Sequence, residues 1–399
     1  MSSVSSGSEK PFKLSVSDAD LDLLHKKLAL TTLPDELDGA GWNYGAPLAH
    51  VTRLLDRWKN GFDWRASEAA INKIPQFTRD IDVEGFGTLN VHYAHQRSQA
   101  EDAIPLLFIH GWPGHFMEGA KLIPLLTTVT PGEPSFHFVA LSLPAFGFSE
   151  APTKTGFAIS QHAEVGNKLM LALGYNKYVV QGGDWGYFIT RKMGKLYGKK
   201  HVQAWHTNFP IATFPPITYP RHFVTALVTS LLPSNIANLK EAKKFGDDGR
   251  GYFAIQSTRP QTLAYSLRDS PVGLLAWIYE KLVAWTDSYP WTDDEVLTWI
   301  SIYWFSRGGP DTSVRLYYEA MHAEGFASDQ PWSPVPIGFS RFPKEIVTLP
   351  KSWSRALGNV VFEADHDQGG HFAAYERPEA LAGDLKKMFG KGGVQVESK

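Results

Sequence analysis

Tyr178-Val179-Val180-Gln181-Gly182-Gly183-Asp184-Trp185-Gly186 reads as a short apolar strand running into a tight turn, and Tyr187 to Leu196 beyond it reads as a helix. Strand, small-x-nucleophile-x-small turn, helix is the layout of a nucleophile elbow. The turn is so sharp that the residues flanking the nucleophile must be nearly free of side chain, a need that glycine meets. The central residue of such an elbow is most often Ser; here it is Asp184. A carboxylate makes no acyl-enzyme with a carboxylic ester, but it can displace a leaving group at a saturated carbon and form an alkyl ester. The chemistry narrows to carbon–oxygen or carbon–halogen cleavage. The bland alternative is a Gly-rich, phosphate-binding helix start, where the charge of Asp184 would repel the phosphate.

Outward from the elbow, strand-like runs alternate with helical ones. Pro105 to His110 ends at His110-Gly111-Trp112-Pro113-Gly114, and His137 to Leu143 ends at Pro144-Ala145-Phe146-Gly147-Phe148-Ser149. Val202 to Trp205 follows the elbow helix, and Gln161 to Leu173 reads as a helix between strands. This alternation implies a parallel sheet with helices on both faces. Ligand sites then lie at the carboxyl ends of the strands, where His110, Asp184 and Asn208 fall. Before residue 100 the pattern differs. Ser17 opens a helix carrying Leu21, Leu24 and Leu28, Leu48 to Lys59 is amphipathic and stops at Asn60-Gly61, and Ile81 to Tyr93 alternates around Gly85 and Gly87 as a strand–turn–strand. Pro210 to Trp332 is helix-rich and aromatic, as a lid inserted into the core would be. Strand character returns at Ile337 to Ser340 and Asn359 to Phe362, and Pro378 to Phe389 closes the core as a helix. The expected organisation is an N-terminal meander over 1–100, the first part of the core over 101–210, a helical lid over 211–332 and the second part of the core over 333–399.

Composition narrows the function classes. The chain has 399 residues and a formal net charge of −2, so it lacks the basic footprint of a nucleic-acid binder. It has no cysteine, hence neither disulfides nor a thiolate metal site. Met1 to Lys10 has no apolar segment of the kind a signal peptide needs. No apolar run approaches the roughly 18 residues of a membrane span, and Glu397-Ser398-Lys399 is not the Ser-Lys-Leu address. A soluble, cytoplasmic protein is expected, and a homodimer is compatible with the sequence.

An Asp nucleophile needs four kinds of help. An oxyanion hole for ester hydrolysis takes one N–H from the residue after the nucleophile, Trp185, and another from the loop after an earlier strand, Trp112; the alternative for that loop is an ordinary Pro-Gly turn. A base that activates water belongs after the last strand, in Glu363-Ala364-Asp365-His366-Asp367-Gln368-Gly369-Gly370-His371. His371 is the choice, because it follows two glycines and precedes a helix. His366 is the solvated alternative, or a ligand with Asp365 and Asp367 in a metal cluster that this loop alone does not frame. The acid that orients the base belongs after the penultimate strand, where Glu345 stands; Asp365 and the strand end near Asn208 are the fallbacks. An acid for the leaving oxygen has to come from the lid tyrosines, among which the residues alone do not choose, and core packing is the ordinary role of each.

His110-Gly111-Trp112-Pro113-Gly114, Gln181-Gly182-Gly183-Asp184-Trp185-Gly186 and Gly369-Gly370-His371-Phe372-Ala373-Ala374-Tyr375-Glu376-Arg377-Pro378 resemble the epoxide hydrolases of the α/β-hydrolase fold. The likeness is to the microsomal-type branch with its soluble fungal members, and it covers almost the whole chain; Trp58-Lys59 and Asp63-Trp64 match that branch's meander. The resemblance implies Asp184 as nucleophile, His371 as base and Glu345 as its acid, a position held by Asp or Glu among fungal members. It implies two lid tyrosines, Tyr252 in Gly251-Tyr252-Phe253-Ala254 and Tyr317 in Arg315-Leu316-Tyr317-Tyr318-Glu319, with Tyr318 the adjacent alternative. It implies an epoxide and water as substrates, no cofactor, no metal, and a role in detoxification or aromatic hydrocarbon catabolism. The membrane anchor of mammalian relatives has no counterpart in the polar start. Three rivals stay open: a haloalkane dehalogenase, an inactive ligand-binding protein on the same scaffold, and an interaction protein built on the aromatic lid.

Overall fold

Alternation along the strands decides which side chains meet which layer of helices. The computed structural model describes residues 8–323 and 332–396; Met1 to Gly7, Glu397 to Lys399 and 324–331 of the expected lid lie outside the described residues. Nine strands among the described residues form one sheet: β1 (Lys10–Phe12), β2 (Gln76–Val83), β3 (Gly87–Gln96), β4 (Ile104–Ile109), β5 (Phe136–Leu141), β6 (Tyr178–Gly182), β7 (Val202–Thr207), β8 (Ser333–Arg341) and β9 (Gly358–Asp365), in the order β1-β2-β3-β5-β4-β6-β7-β8-β9. The first three pair antiparallel, and β3 is antiparallel to β5. From β5 to the far edge every pairing is parallel. The strand–turn–strand read around Gly85 and Gly87 is the β2–β3 hairpin, which extends the same sheet.

Among the described residues sixteen α-helices surround it: α1 (Asp18–Ala29), α2 (Leu48–Asn60), α3 (Trp64–Ile71), α4 (Leu122–Thr127), α5 (Ile159–Ala172), α6 (Trp185–Tyr197), α7 (Pro220–Ser230), α8 (Pro233–Lys244), α9 (Gly251–Thr258), α10 (Pro260–Asp269), α11 (Pro271–Ala284), α12 (Asp293–Trp304), α13 (Arg315–His322), α14 (Lys351–Ser354), α15 (Ala373–Glu376) and α16 (Pro378–Phe389). In β4, Leu107 and Ile109 enter one core cluster with residues of α5 and α6, while Ile104, Leu106 and Phe108 enter another with residues of α4 and α16. Such strands are apolar on both faces, which is why they read as continuous apolar runs. The helices from α7 to α13 lie between β7 and β8 in the chain, so the lid is an insertion at the strand ends. Helix starts follow local chemistry. Ser17 caps α1 by accepting from the Asp20 N–H, and Thr292 with Glu295 forms a capping box on α12.

Candidate active site

β4 and β6 are neighbours, with Ile109 opposite Gly182, so the loop after Ile109 and the elbow after Gly182 emerge side by side. Asp184 sits at φ 49° and ψ −127°, a conformation that costs a residue with a Cβ of order 1–3 kcal/mol and that clusters at functional sites. It is held by close packing. A Cβ on Gly186 would overlap the Ile109 carbonyl oxygen, and one on Gly111 would overlap the Asp184 carboxylate. The Trp112 N–H donates to Asp184 Oδ1 at 2.8 Å, and Trp185 opens α6 directly after Asp184. The loop that carries Trp112 is itself pinned by α12: Trp299 Nε1 donates to the Pro113 carbonyl at 2.7 Å and the Tyr303 hydroxyl to that of Gly114 at 2.6 Å. His110 serves the same loop, with one ring nitrogen on the Gly111 carbonyl and the other accepting from the Leu143 N–H. Burial pushes its pKa down to about 4, so this imidazole is neutral.

An isolated parallel bridge pairs Lys344 with Gly370, which puts the next residue of each segment, Glu345 and His371, side by side. His371 Nδ1 lies 2.5 Å from Glu345 Oε1, and its Nε2 lies 3.4 Å from Asp184 Oδ2. The His371 backbone is tied as well: its N–H donates to the Trp285 carbonyl at the end of α11, and its carbonyl accepts from Asn208 Nδ2. Burial pushes the imidazolium down, but the charges of Glu345 and Asp184 and their hydrogen bonds outweigh it and hold the His371 pKa well above its ordinary value. The resting imidazole is thereby biased toward its protonated form.

Above Asp184, α9 and α13 present Tyr252 and Tyr317, which are 7 % and 1 % exposed. The Tyr252 ring stacks on Trp112 at 5.3 Å, and that of Tyr317 stands edge-on to Trp185 at 4.8 Å. Burial pushes both phenols up, and the Asp184 charge adds to it. The Tyr317 hydroxyl lacks a hydrogen bond of ordinary geometry, and its polar neighbours are the Trp185 indole and the Tyr252 phenol. Both tyrosines and Asp184 line a cavity of about 360 Å³ whose walls include Phe188, Phe209, Phe253, Met321, Ile346 and Val347. An apolar chamber with a few convergent polar groups is the usual form of a small-molecule site.

The alternatives fare differently. Tyr318 stacks on His322 at 4.0 Å and is absent from the cavity wall. His366 is not the solvated loop residue expected of it. Its Nε2 lies 2.6 Å from Asp384 Oδ2 and its ring stacks on Phe342, because α16 brings Asp384 under the loop. Asp365 ends β9, not a loop, and pairs with Lys351 at 2.6 Å, so His366 and Asp365 point to different partners and frame no metal site. Asn208 holds the backbone of His371 and not its ring. Two acids escaped the reading of the sequence. Glu376 accepts from the Gly370 and Asp287 N–H groups and so shapes the His371 loop. Glu118, 9 % exposed, shares a second small cavity with Asp184 and His371.

This fold and this elbow define an α/β-hydrolase. Residues 9–119 match the profile of the epoxide hydrolase N terminus and residues 104–237 that of the α/β-hydrolase fold. Epoxide hydrolase 1 of Sus scrofa is 34% identical over 96% of this chain and 88% of its own. Among solved structures, the Aspergillus niger epoxide hydrolase is 34% identical with a TM-score of 0.82, covering 95% of both chains. The juvenile hormone epoxide hydrolase of Bombyx mori is 30% identical with a TM-score of 0.87, covering 96% of this chain and 94% of that one. The chain belongs to the epoxide hydrolase family and is an enzyme of that family. Among the described residues no helix is long and apolar enough to cross a membrane.

Proposed function

We propose that the enzyme opens lipophilic epoxides to vicinal diols in two steps through a covalent ester on Asp184. The observation that carries the reading is an Asp at the elbow facing two buried tyrosine hydroxyls across an apolar cavity. The epoxide oxygen accepts hydrogen bonds from Tyr252 and Tyr317 while an Asp184 oxygen attacks a ring carbon from behind. The carbon–oxygen bond of the ring breaks, and the new alkoxide takes a proton from one phenol. Esterification removes the Asp184 charge, one of the two that keep His371 protonated. The His371 pKa therefore falls, its proton makes good the phenol, and the neutral imidazole held by Glu345 is ready as a base.

Water then loses a proton to His371 Nε2 as its oxygen bonds to the ester carbonyl carbon. The Trp112 and Trp185 N–H groups hold the oxyanion. Collapse breaks the bond to the diol oxygen, which takes the proton from His371, and the regenerated Asp184 acid passes its own proton to the imidazole. The net change is epoxide plus water to diol. The aromatic chamber favours substrates with an aryl or alkyl arm, in keeping with a detoxifying or catabolic enzyme. Incubation with a panel of aryl and alkyl epoxides, with diol read by chromatography, is the test, alongside halide release from matched haloalkanes. Diol without halide is expected. Halide release without diol would make the enzyme a dehalogenase, and binding with neither product an inactive ligand-binding protein.

A further inference from the structure

Asp184 stands between two cavities of different character. On the lid side is the 360 Å³ aromatic chamber. On the other side of Asp184 is a small hollow whose wall includes Glu118, Asp184, His371, Asn208, Trp112 and Phe372. It leaves about 10 Å³ for the centre of a water molecule, the scale of one molecule. Neither Tyr252 nor Tyr317 reaches it. A hollow this small, with the polar groups of Glu118, Asp184, His371 and Asn208 on its wall, admits water and excludes the epoxide.

Resting on the covalent reading above, we propose that this hollow holds the hydrolytic water and that Glu118, as a neutral carboxylic acid, positions it. Glu118 occupies a short helical turn, Phe116–Gly119, and its carboxyl packs against Gly114, where a Cβ would overlap Oε1. The turn is thus built to bring this acid against the loop that carries Trp112. A buried acid beside a nucleophilic carboxylate must stay protonated to avoid two like charges in one hollow. Burial raises the Glu118 pKa to about 8; the His371 charge and the His115 N–H oppose this in part, and the Asp184 charge adds to it. The other titratable groups nearby are neutral: burial keeps the His115 and His110 imidazoles and the Tyr303 phenol uncharged. In the ester-hydrolysis step the Glu118 carbonyl oxygen accepts a hydrogen bond from one O–H of the water, which keeps that proton, while His371 removes the other. The water's lone pair is left facing the ester carbon, and Glu118 keeps its own proton throughout.

The test separates the two steps in Glu118→Ala and Glu118→Gln. Pre-steady-state alkylation of Asp184 is expected to be unchanged in both. Ester hydrolysis is expected to slow about a hundredfold in Glu118→Ala, the scale for a reacting group misplaced by about 1 Å, with the protein–substrate adduct accumulating. Glu118→Gln, neutral and isosteric, should recover most of the rate at pH 7. Above pH 8 the wild-type hydrolysis step should decline as Glu118 ionises, and the Gln variant should not. Wild-type ester hydrolysis in Glu118→Ala, equal slowing of both steps, the same alkaline decline in Glu118→Gln, or failure of the Gln variant to fold would each overturn the proposal. A wild-type enzyme that turns over without any ester would sink the covalent reading itself, which is a different failure.

Discussion

Tyr317→Phe should separate activity from stability. Its hydroxyl is enclosed and its contacts with the Trp185 indole and the Tyr252 phenol fall short of ordinary hydrogen-bond geometry, so part of the cost of burying it, about 1–3 kcal/mol for a donor left wholly unpaired, stays uncompensated. Deleting one oxygen recovers part of that and leaves a gap too small to matter. With an unfolding entropy proportional to length, each kcal/mol shifts the midpoint of a chain this long by roughly 1 °C. The thermal midpoint is therefore expected to stay level or rise slightly. Activity should move the other way. Loss of one oxyanion donor costs roughly a hundred- to a thousandfold. Tyr252 lies beside Tyr317, ring centroids 6.0 Å apart, and serves the same oxygen, so each single loss belongs at the low end and the double Phe variant should be nearly inactive. The assay is the alkylation rate by stopped flow. Quenching of the site tryptophans Trp112 and Trp185 can report ester formation before hydrolysis begins. Tyr318→Phe is the control and should be silent, since that ring stacks on His322 outside the chamber. Wild-type alkylation in Tyr317→Phe, or damage in Tyr318→Phe, would refute the assignment of the second donor. Normal alkylation in all three single variants would mean that the leaving group needs no acid, and would favour the dehalogenase.

His371→Gln should form the ester and fail to release it, so intact mass after one substrate addition should rise by one substrate; continued turnover without adduct would remove His371 from the role of base. Asp184→Asn, which mimics the neutral ester, should lower the His371 pKa, because Asp184 is one of the two carboxylates that raise it; imidazole NMR titration reads this, and an unchanged midpoint contradicts the proton bookkeeping above. Gly186→Ala should fold poorly or lose the elbow, since its Cβ has no room beside the Ile109 carbonyl; a soluble variant with wild-type turnover would show that the turn can relax.

The elbow, the parallel strands and the closing helix were legible because each writes a local pattern: an apolar run, a glycine pair, a 3.6-residue period. Pro378–Phe389 was read to the residue, helped by a Pro that can only begin a helix. The positions of Asp184, Glu345 and His371 were legible at one remove, from the rule that strand ends carry the site. The two lid tyrosines were not. Nothing local distinguishes Tyr317 from Tyr318; the packing of α9 against α13 does, and only the family resemblance had pointed there. His366 was misjudged because its partner, Asp384, lies on the next helix but one. Glu118 was missed for a similar reason. A lone Glu after a Pro-Gly turn looks like a surface residue, and only the closure of the Trp112 loop over it makes it a buried acid.

The origin of the oxygen in the product tests the central claim most directly. With enzyme in excess over epoxide in ¹⁸O-labelled water, the first turnover should give diol free of label, because its new oxygen comes from Asp184, and the label should appear in the peptide that contains Asp184. Labelled diol in that first turnover, with an unlabelled Asp184 peptide, would mean that water attacks the epoxide directly and that no ester on Asp184 is formed.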